Sequence, residues 1–102
     1  MILPNNFTIN ISDLQGINFS CESGYISENG LLFIKEGYKW DGITVAPDTD
    51  RTYKAGLIHD FLYEYRPINR EIADRIFYKQ LKSDGFKFAK LYYIGVKMFG
   101  SF

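Results

Sequence analysis

The chain has 102 residues, 46% hydrophobic and 18% aromatic, which is long and apolar enough for one folded core. Twelve basic and twelve acidic side chains cancel, which argues against a nucleic-acid partner. The single cysteine excludes an internal disulfide, and no stretch approaches the ~20 apolar residues of a transmembrane segment. The amino terminus lacks the pattern of a signal peptide, so we expect a protein retained in the cytoplasm unless it leaves inside a larger particle.

The first forty residues carry the patterns of short β-strands. Phe7, Ile9 and Ile11 alternate with polar residues, as in a strand with one buried face. The dipeptide Asn29-Gly30 lies between two apolar runs and favours the tight turn of a β-hairpin. These patterns predict an N-terminal β-meander of short strands.

A loop and a first helix follow the predicted strands. Glycine, proline and three aspartates with little apolar periodicity indicate an irregular Asp-Gly loop over residues 41–50. Thr49 or Asp50 is placed to cap a helix over about residues 51–65. Pro67 should end this helix, because the residue before a proline is disfavoured in the α conformation.

Two more helices complete the chain. The second is predicted over residues 70–83, with Asn69 as its N-cap and Gly85 as its C-terminal glycine. The third is predicted over residues 86–98, where apolar residues recur at helical spacing. The order of elements predicts an α+β fold.

We therefore predict a single domain spanning residues 1–102. Its parts are a β-rich part over residues 1–40, the Asp-Gly loop over 41–50 and a helical part over 51–102.

His59 is the only histidine, so any general-base chemistry by an imidazole must use it. Tyr63 lies one helical turn further along the same face. The short Pro67-Ile68 connection makes the second helix return beside the first, which brings Asp74 opposite His59. We expect the two side chains ~2.6–3.2 Å or one water apart, with Asp74 fixing the tautomer of a base that activates water.

A calcium site is the second chemical hypothesis. Asp41 and Asp60, with loop carbonyls near Gly42, offer the hard oxygen ligands that calcium prefers. A bound calcium ion would polarise an ester carbonyl as a Lewis acid. The pair and the cation together predict metal-assisted ester hydrolysis, and the alternative is a protein without a cofactor.

Non-catalytic interpretations fit the same residues. A lone histidine between helices is more often a satisfied core residue, and Asp74 is also placed to pair with Arg70 or Arg75. Loop aspartates are turn formers as well as ligands. The catalytic interpretation expects a solvent-accessible His59, whereas the core interpretation expects a buried one.

Three segments in this order resemble a family of unknown function that is common in phages and prophages, domain of unknown function 1353. Its motifs are an Asp-Gly loop ending in proline, a His-Asp-x-Leu-Tyr helix and an Ala-Asp-x-x-Phe helix. The matching segments are DGITVAPD at 41–48, AGLIHDFLY at 55–63 and ADRIFYKQL at 73–81.

The same segments resemble, more distantly, the secreted phospholipase A2 family of bacteria and fungi. That resemblance implies that the first two helices form a phospholipase A2-like antiparallel hairpin. It implies that His59 is the catalytic base, that Asp74 orients it and that Tyr63 supports the pair. It also implies that Asp41 and Asp60 bind calcium.

Three functions from different classes follow as expectations. The first is a calcium-assisted lipid or ester hydrolase acting on phospholipid. The second is a phage protein that binds or inhibits a host or defence protein, and the third is a small structural component of a phage tail or capsid. The corresponding locations are the host cytoplasm and the virion, and the sequence does not define an oligomeric state.

Overall fold

The computed structural model describes residues 1–40 and 51–99. The chain divides into two compact units, Met1–Trp40 and Asp41–Phe102. The division falls where the predicted β-rich part ends, although the assignment of one domain stays a prediction. The predicted α+β class is confirmed, because a four-stranded antiparallel sheet precedes three helices.

The first unit is built on this sheet, whose strands are β1 (Phe7–Asn10), β2 (Phe19–Cys21), β3 (Gly24–Ile26) and β4 (Leu31–Ile34). Their order in the sheet is β1-β4-β3-β2. Three consecutive strands, β2 to β4, form the meander, and β1 pairs with the other edge of β4. The sequence patterns missed β2 because three residues are too few to show alternation.

The predicted hairpin turn joins β3 to β4. Ile26 pairs with Leu32 across the two strands, and the amide of Ser27 donates to the carbonyl of Leu31 at 2.9 Å. Gly30 has φ +90°, and a Cβ added there would lie 2.6 Å from the carbonyl oxygen of Ile11. The turn therefore requires glycine for both its backbone conformation and its close packing.

The second unit contains α1 (Tyr53–Tyr65), α2 (Arg70–Ser83) and α3 (Ala89–Phe99). The side chain of Asn69 caps α2 by accepting a hydrogen bond from the amide of Ile72 at 2.9 Å, as predicted. Gly85 follows the end of α2 with φ +77°, also as predicted. None of the described helices is long and apolar enough to span a membrane.

Two helix starts differ from the predictions. The first described helix begins at Tyr53, after an N-cap at Thr52, and the predicted caps Thr49 and Asp50 lie outside the described residues. The third helix begins three residues later than predicted, because Phe86 lies within the connection from α2, where its ring packs edge-on against that of Tyr92 at 5.0 Å.

The contacts between α1 and α2 show that the two helices are antiparallel. Ala55, near the start of α1, packs in one cluster with Phe77 of α2. Tyr63, near the end of α1, contacts Arg70 at the start of α2. The rest of this buried cluster is Leu81, Ala89, Tyr92 and Val96. Burying a side chain as large as Phe77 stabilises the fold by about 1.5–3 kcal/mol, so this cluster holds the three helices together.

Candidate active site

The centre of the site is a direct contact between α1 and α2. The His59 Nε2 atom lies 2.9 Å from the Asp74 Oδ1 atom, which is within the predicted range. Both residues are only 3% exposed. A buried carboxylate requires such a partner, because burying an unpaired charge is costly.

Tyr63 completes the contact from one turn further along α1. Its hydroxyl donates to the same Asp74 oxygen at 2.5 Å, and its ring centroid lies 4.1 Å from that of His59. The structure thus brings together the three side chains that the sequence singled out for catalysis. Their catalytic roles stay predictions.

The geometry assigns the tautomer of His59. A carboxylate accepts hydrogen bonds and does not donate them, so Nε2 carries the proton when it contacts Asp74. The other ring nitrogen, Nδ1, then holds the free lone pair. This is the arrangement that a general base needs.

Burial shifts the pKa values of His59 and Tyr63, the two side chains that donate to Asp74. Removal from solvent lowers the pKa of His59 below its ordinary value of 6.5, more than the hydrogen bond and charge of Asp74 raise it, and the charge of Arg70 lowers it further. Burial and the bond to Asp74 raise the pKa of Tyr63 to about 12. At neutral pH, His59 is therefore a neutral base and Tyr63 stays a hydrogen-bond donor.

The lowered pKa of His59 predicts a loss of stability in acid. Below pH 6.5 the unfolded chain binds a proton at this histidine that the folded chain does not bind. The free energy of unfolding should therefore fall as the pH drops from 6.5 towards the folded pKa, by up to ~1.4 kcal/mol per pH unit. Urea unfolding at pH 7.5, 6.5 and 5.5 measures this effect.

The variant His59→Gln is the control for this pH effect, because it removes the titrating group. Its free energy of unfolding should vary less over the same pH range than that of the wild type. Equal pH dependence in both proteins would show that other groups cause it.

The burial of His59 corrects one expectation. The catalytic interpretation predicts an accessible side chain, yet His59 is buried, with the Phe77 ring centroid 4.7 Å from its own. A surface pocket of about 500 Å³ lies beside the site and reaches Asp74 rather than His59. The other residues that line this pocket are Arg70, Glu71, Tyr93 and Lys97.

Residues 22–96 match the family model described as "Protein of unknown function (DUF1353)". The chain belongs to this family. The matched range contains His59, Tyr63 and Asp74 together with α1 and α2. Comparisons with curated proteins and with solved structures gave no match.

Arg70 is a site residue whose contacts the sequence did not predict. The non-catalytic interpretation offered Arg70 or Arg75 as a partner of Asp74, and in the structure the Nε atom of Arg70 donates to the Tyr63 hydroxyl at 2.9 Å. Asp74 is engaged by His59 and Tyr63 instead. Arg70 and Asp74 are four residues apart and therefore lie on one face of α2. This spacing was the sequence signal that could have placed Arg70 at the site.

The structure does not test the predicted calcium site. Asp41 and Gly42 lie outside the described residues, and Asp60 lies on α1 beside His59. Across residues 1–40 and 51–99, no three His, Cys, Asp or Glu side chains are grouped closely enough to hold a metal ion. Of the predicted ligands, the described part of the chain therefore contains only Asp60.

Proposed function

We propose that this protein hydrolyses esters, with phospholipids as the leading substrate class. The observation that carries the proposal is the buried contact between His59 and Asp74, which places the proton on Nε2 and leaves Nδ1 as the unprotonated, basic nitrogen. The lowered pKa of His59 keeps that nitrogen unprotonated at neutral pH. The resemblance to secreted phospholipases A2 points to the same residues.

In the proposed reaction, His59 Nδ1 removes a proton from a water molecule as the water oxygen attacks the ester carbonyl carbon. The carboxylate of Asp74 stabilises the imidazolium that forms. The tetrahedral intermediate then collapses, and the imidazolium returns its proton to the departing alkoxide. The products are a carboxylic acid and an alcohol, and the base is restored.

Access is the main structural requirement of this reaction. His59 is 3% exposed, so the ester carbonyl and the attacking water reach Nδ1 only if the site opens during substrate binding. Many enzymes enclose the reacting groups in this way and open to admit the substrate. The enclosure also excludes water, which strengthens the electrostatic effect of Asp74.

We include calcium in the proposal as a cofactor held by Asp41 and Asp60 with the carbonyl of Gly42. When bound, calcium would supply a Lewis acid for the ester carbonyl. The support is the oxygen chemistry of these residues and the resemblance to the phospholipases. Asp60 alone provides too few of the six to eight ligands that calcium takes, so the proposed site depends on Asp41 and Gly42.

The calcium prediction is tested by calorimetric titration. Wild-type protein should bind calcium, and Asp60→Asn should lose that binding because the substitution removes a charged ligand. Glu64→Gln removes an exposed carboxylate from the same helix and should bind like the wild type. No heat and no thermal shift at millimolar calcium would remove the metal from the proposal and leave the His59 chemistry to be tested alone.

The proposed function is tested by the release of fatty acid from vesicles of mixed phospholipids, with simple aryl esters as a second substrate. Purified wild-type protein should release fatty acid. The assay contains calcium if the titration shows that calcium binds, and a chelator if it does not. Absence of hydrolysis on both substrates would contradict the proposal. The decisive variant is His59→Gln.

The second candidate is a non-catalytic binding protein, and the outer face of α3 favours it. Leu91 and Met98 are 60% and 69% exposed, Ile94 on the same helix face is also exposed, and so is Phe88 just before the helix. Large apolar side chains grouped on one helix face are typical of protein-binding surfaces. Under this second candidate, the chain is a phage protein that either binds a host or defence protein or forms part of the virion. His59 is then a structural residue.

A further inference from the structure

We propose that Arg70 is a positioning residue that holds Tyr63 on Asp74 while it is anchored to the last turn of α3. The orientation of His59 then depends on the third helix as well as on the α1–α2 pair. The kinetic part of the test rests on the proposed function, whereas the spectroscopic part does not.

Arg70 donates hydrogen bonds in two directions. Its Nε atom donates to the Tyr63 hydroxyl at 2.9 Å. Its Nη2 atom donates to the carbonyl oxygens of Val96 at 3.1 Å and Lys97 at 3.4 Å. One guanidinium group therefore connects the end of α1 with the end of α3.

The chemistry at the end of α3 explains why a cation is held there. Because α3 ends at Phe99, the carbonyls of Val96 and Lys97 are among the last four of the helix and lack a partner within it. The carboxyl end of a helix also carries partial negative charge. A guanidinium satisfies both carbonyls and still has a donor left for Tyr63.

The bond from Arg70 directs the proton of the Tyr63 hydroxyl. Because the hydroxyl oxygen accepts from Arg70, the hydroxyl's own hydrogen is available for Asp74, and the two bonds reinforce each other. Asp74 Oδ1 then stays in the position where it also accepts from His59 Nε2. Loss of Arg70 would release the hydroxyl and, through it, the carboxylate that orients His59.

The test replaces Arg70 by lysine. Lysine keeps the positive charge, but it is a compact donor without the planar fork and does not reproduce both sets of bonds. Arg75→Lys is the matched control, because Arg75 is an exposed arginine of the same helix. The readout is the pair of side-chain 15N chemical shifts of His59, which are unambiguous because the chain has one histidine.

We expect wild type and Arg75→Lys to show one tautomer, with the proton on Nε2. Arg70→Lys should show a mixture of tautomers with little change in melting temperature, because Arg70 is exposed. Tyr63→Phe should give a similar mixture, and adding Arg70→Lys to it should change nothing further, since Arg70 acts through the hydroxyl. Unchanged His59 shifts in Arg70→Lys, or additive shifts in the double variant, would overturn the proposal.

Kinetics supply the second arm on any ester that the wild type hydrolyses. Arg70→Lys should lower kcat about tenfold, which corresponds to a loss of about 1.4 kcal/mol of transition-state stabilisation, with little change in KM. A raised KM with unchanged kcat would show that Arg70 binds substrate from the adjacent pocket, and would overturn the positioning role. If no ester is hydrolysed but the His59 shifts change as expected, the proposed function fails and the positioning role stands.

Discussion

Replacing His59 by glutamine is expected to abolish ester hydrolysis while the protein stays folded. The glutamine amide reaches the position of Nε2 and is able to donate to Asp74, but it has no basic nitrogen. Losing a general base lowers the rate by ~10²–10⁴-fold. The measurement is the initial rate of fatty-acid release from phospholipid vesicles, with the melting temperature of each sample recorded.

The choice of glutamine follows from the burial of His59. His59→Ala would leave a cavity between α1 and α2 and a buried carboxylate that has lost one of its two donors, and would destabilise the fold by a few kcal/mol. A loss of activity in that variant would not separate chemistry from unfolding. Full activity in a folded His59→Gln protein would show that His59 is not the base, and would favour the binding function.

The acidic limb of the rate profile offers a further check on the same residue. The proposed base must be neutral to accept a proton, and burial lowers the pKa of His59 below 6.5. Activity that depends on His59 should therefore persist below pH 6.5, where an exposed histidine would already be protonated. In the proposed hydrolysis, the burial that restricts access to His59 would thus also widen the pH range in which His59 acts as a base.

The α1–α2 pair was predictable because its signals are local. Pro67 and Asn69 fix where one helix ends and the next begins, and Gly85 marks the end of the second. Once the connection is short, helical periodicity alone brings Asp74 to His59. The contact therefore follows from spacing and does not require any knowledge of the third helix.

The remaining features depend on packing between distant segments, which spacing does not encode. Arg70 bonds to the backbone carbonyls of Val96 and Lys97, which lie 26 and 27 residues further along the chain. A backbone carbonyl is present at every residue, so such a bond leaves no pattern in the sequence. The burial of His59 depends on how closely the side chains of α1 and α2 pack, including the Phe77 ring, and helical spacing does not fix that packing. The contact between His59 and Asp74 was therefore predictable from the sequence, whereas its burial and the bonds from Arg70 to α3 were not.

A buried histidine bonded to a carboxylate fits both a catalytic base and a residue that only stabilises the fold. The two interpretations expect different parts of the protein surface to be used. Catalysis requires a path for an ester to Nδ1, whereas binding uses an exterior face such as that of Leu91 and Met98. A partner protein that binds α3 and leaves hydrolysis by His59 unchanged would show that binding and catalysis use separate surfaces. Activity of the isolated protein would favour the first.

Replacing Asp74 by alanine is expected to cause the largest loss of stability among the site variants. Two donors, His59 Nε2–H and the Tyr63 hydroxyl, share one oxygen of this buried carboxylate, and both lose their acceptor. Leaving a buried donor without its acceptor costs about 1–3 kcal/mol, so losing the acceptor of both donors should cost roughly 2–6 kcal/mol. The free energy of unfolding, from urea denaturation followed by circular dichroism, measures this loss.

Asp74→Asn separates the charge of the carboxylate from its shape. The amide oxygen of asparagine is able to accept from the same donors, so the expected loss is smaller, about 1–2 kcal/mol. Glu71→Ala, at an exposed position in the first turn of α2, is the matched control and should stay within about 0.5 kcal/mol of the wild type. If Asp74→Ala is no less stable than this control, the bonds from His59 and Tyr63 do not persist in solution. The base would then lack the fixed tautomer on which the proposed hydrolysis depends.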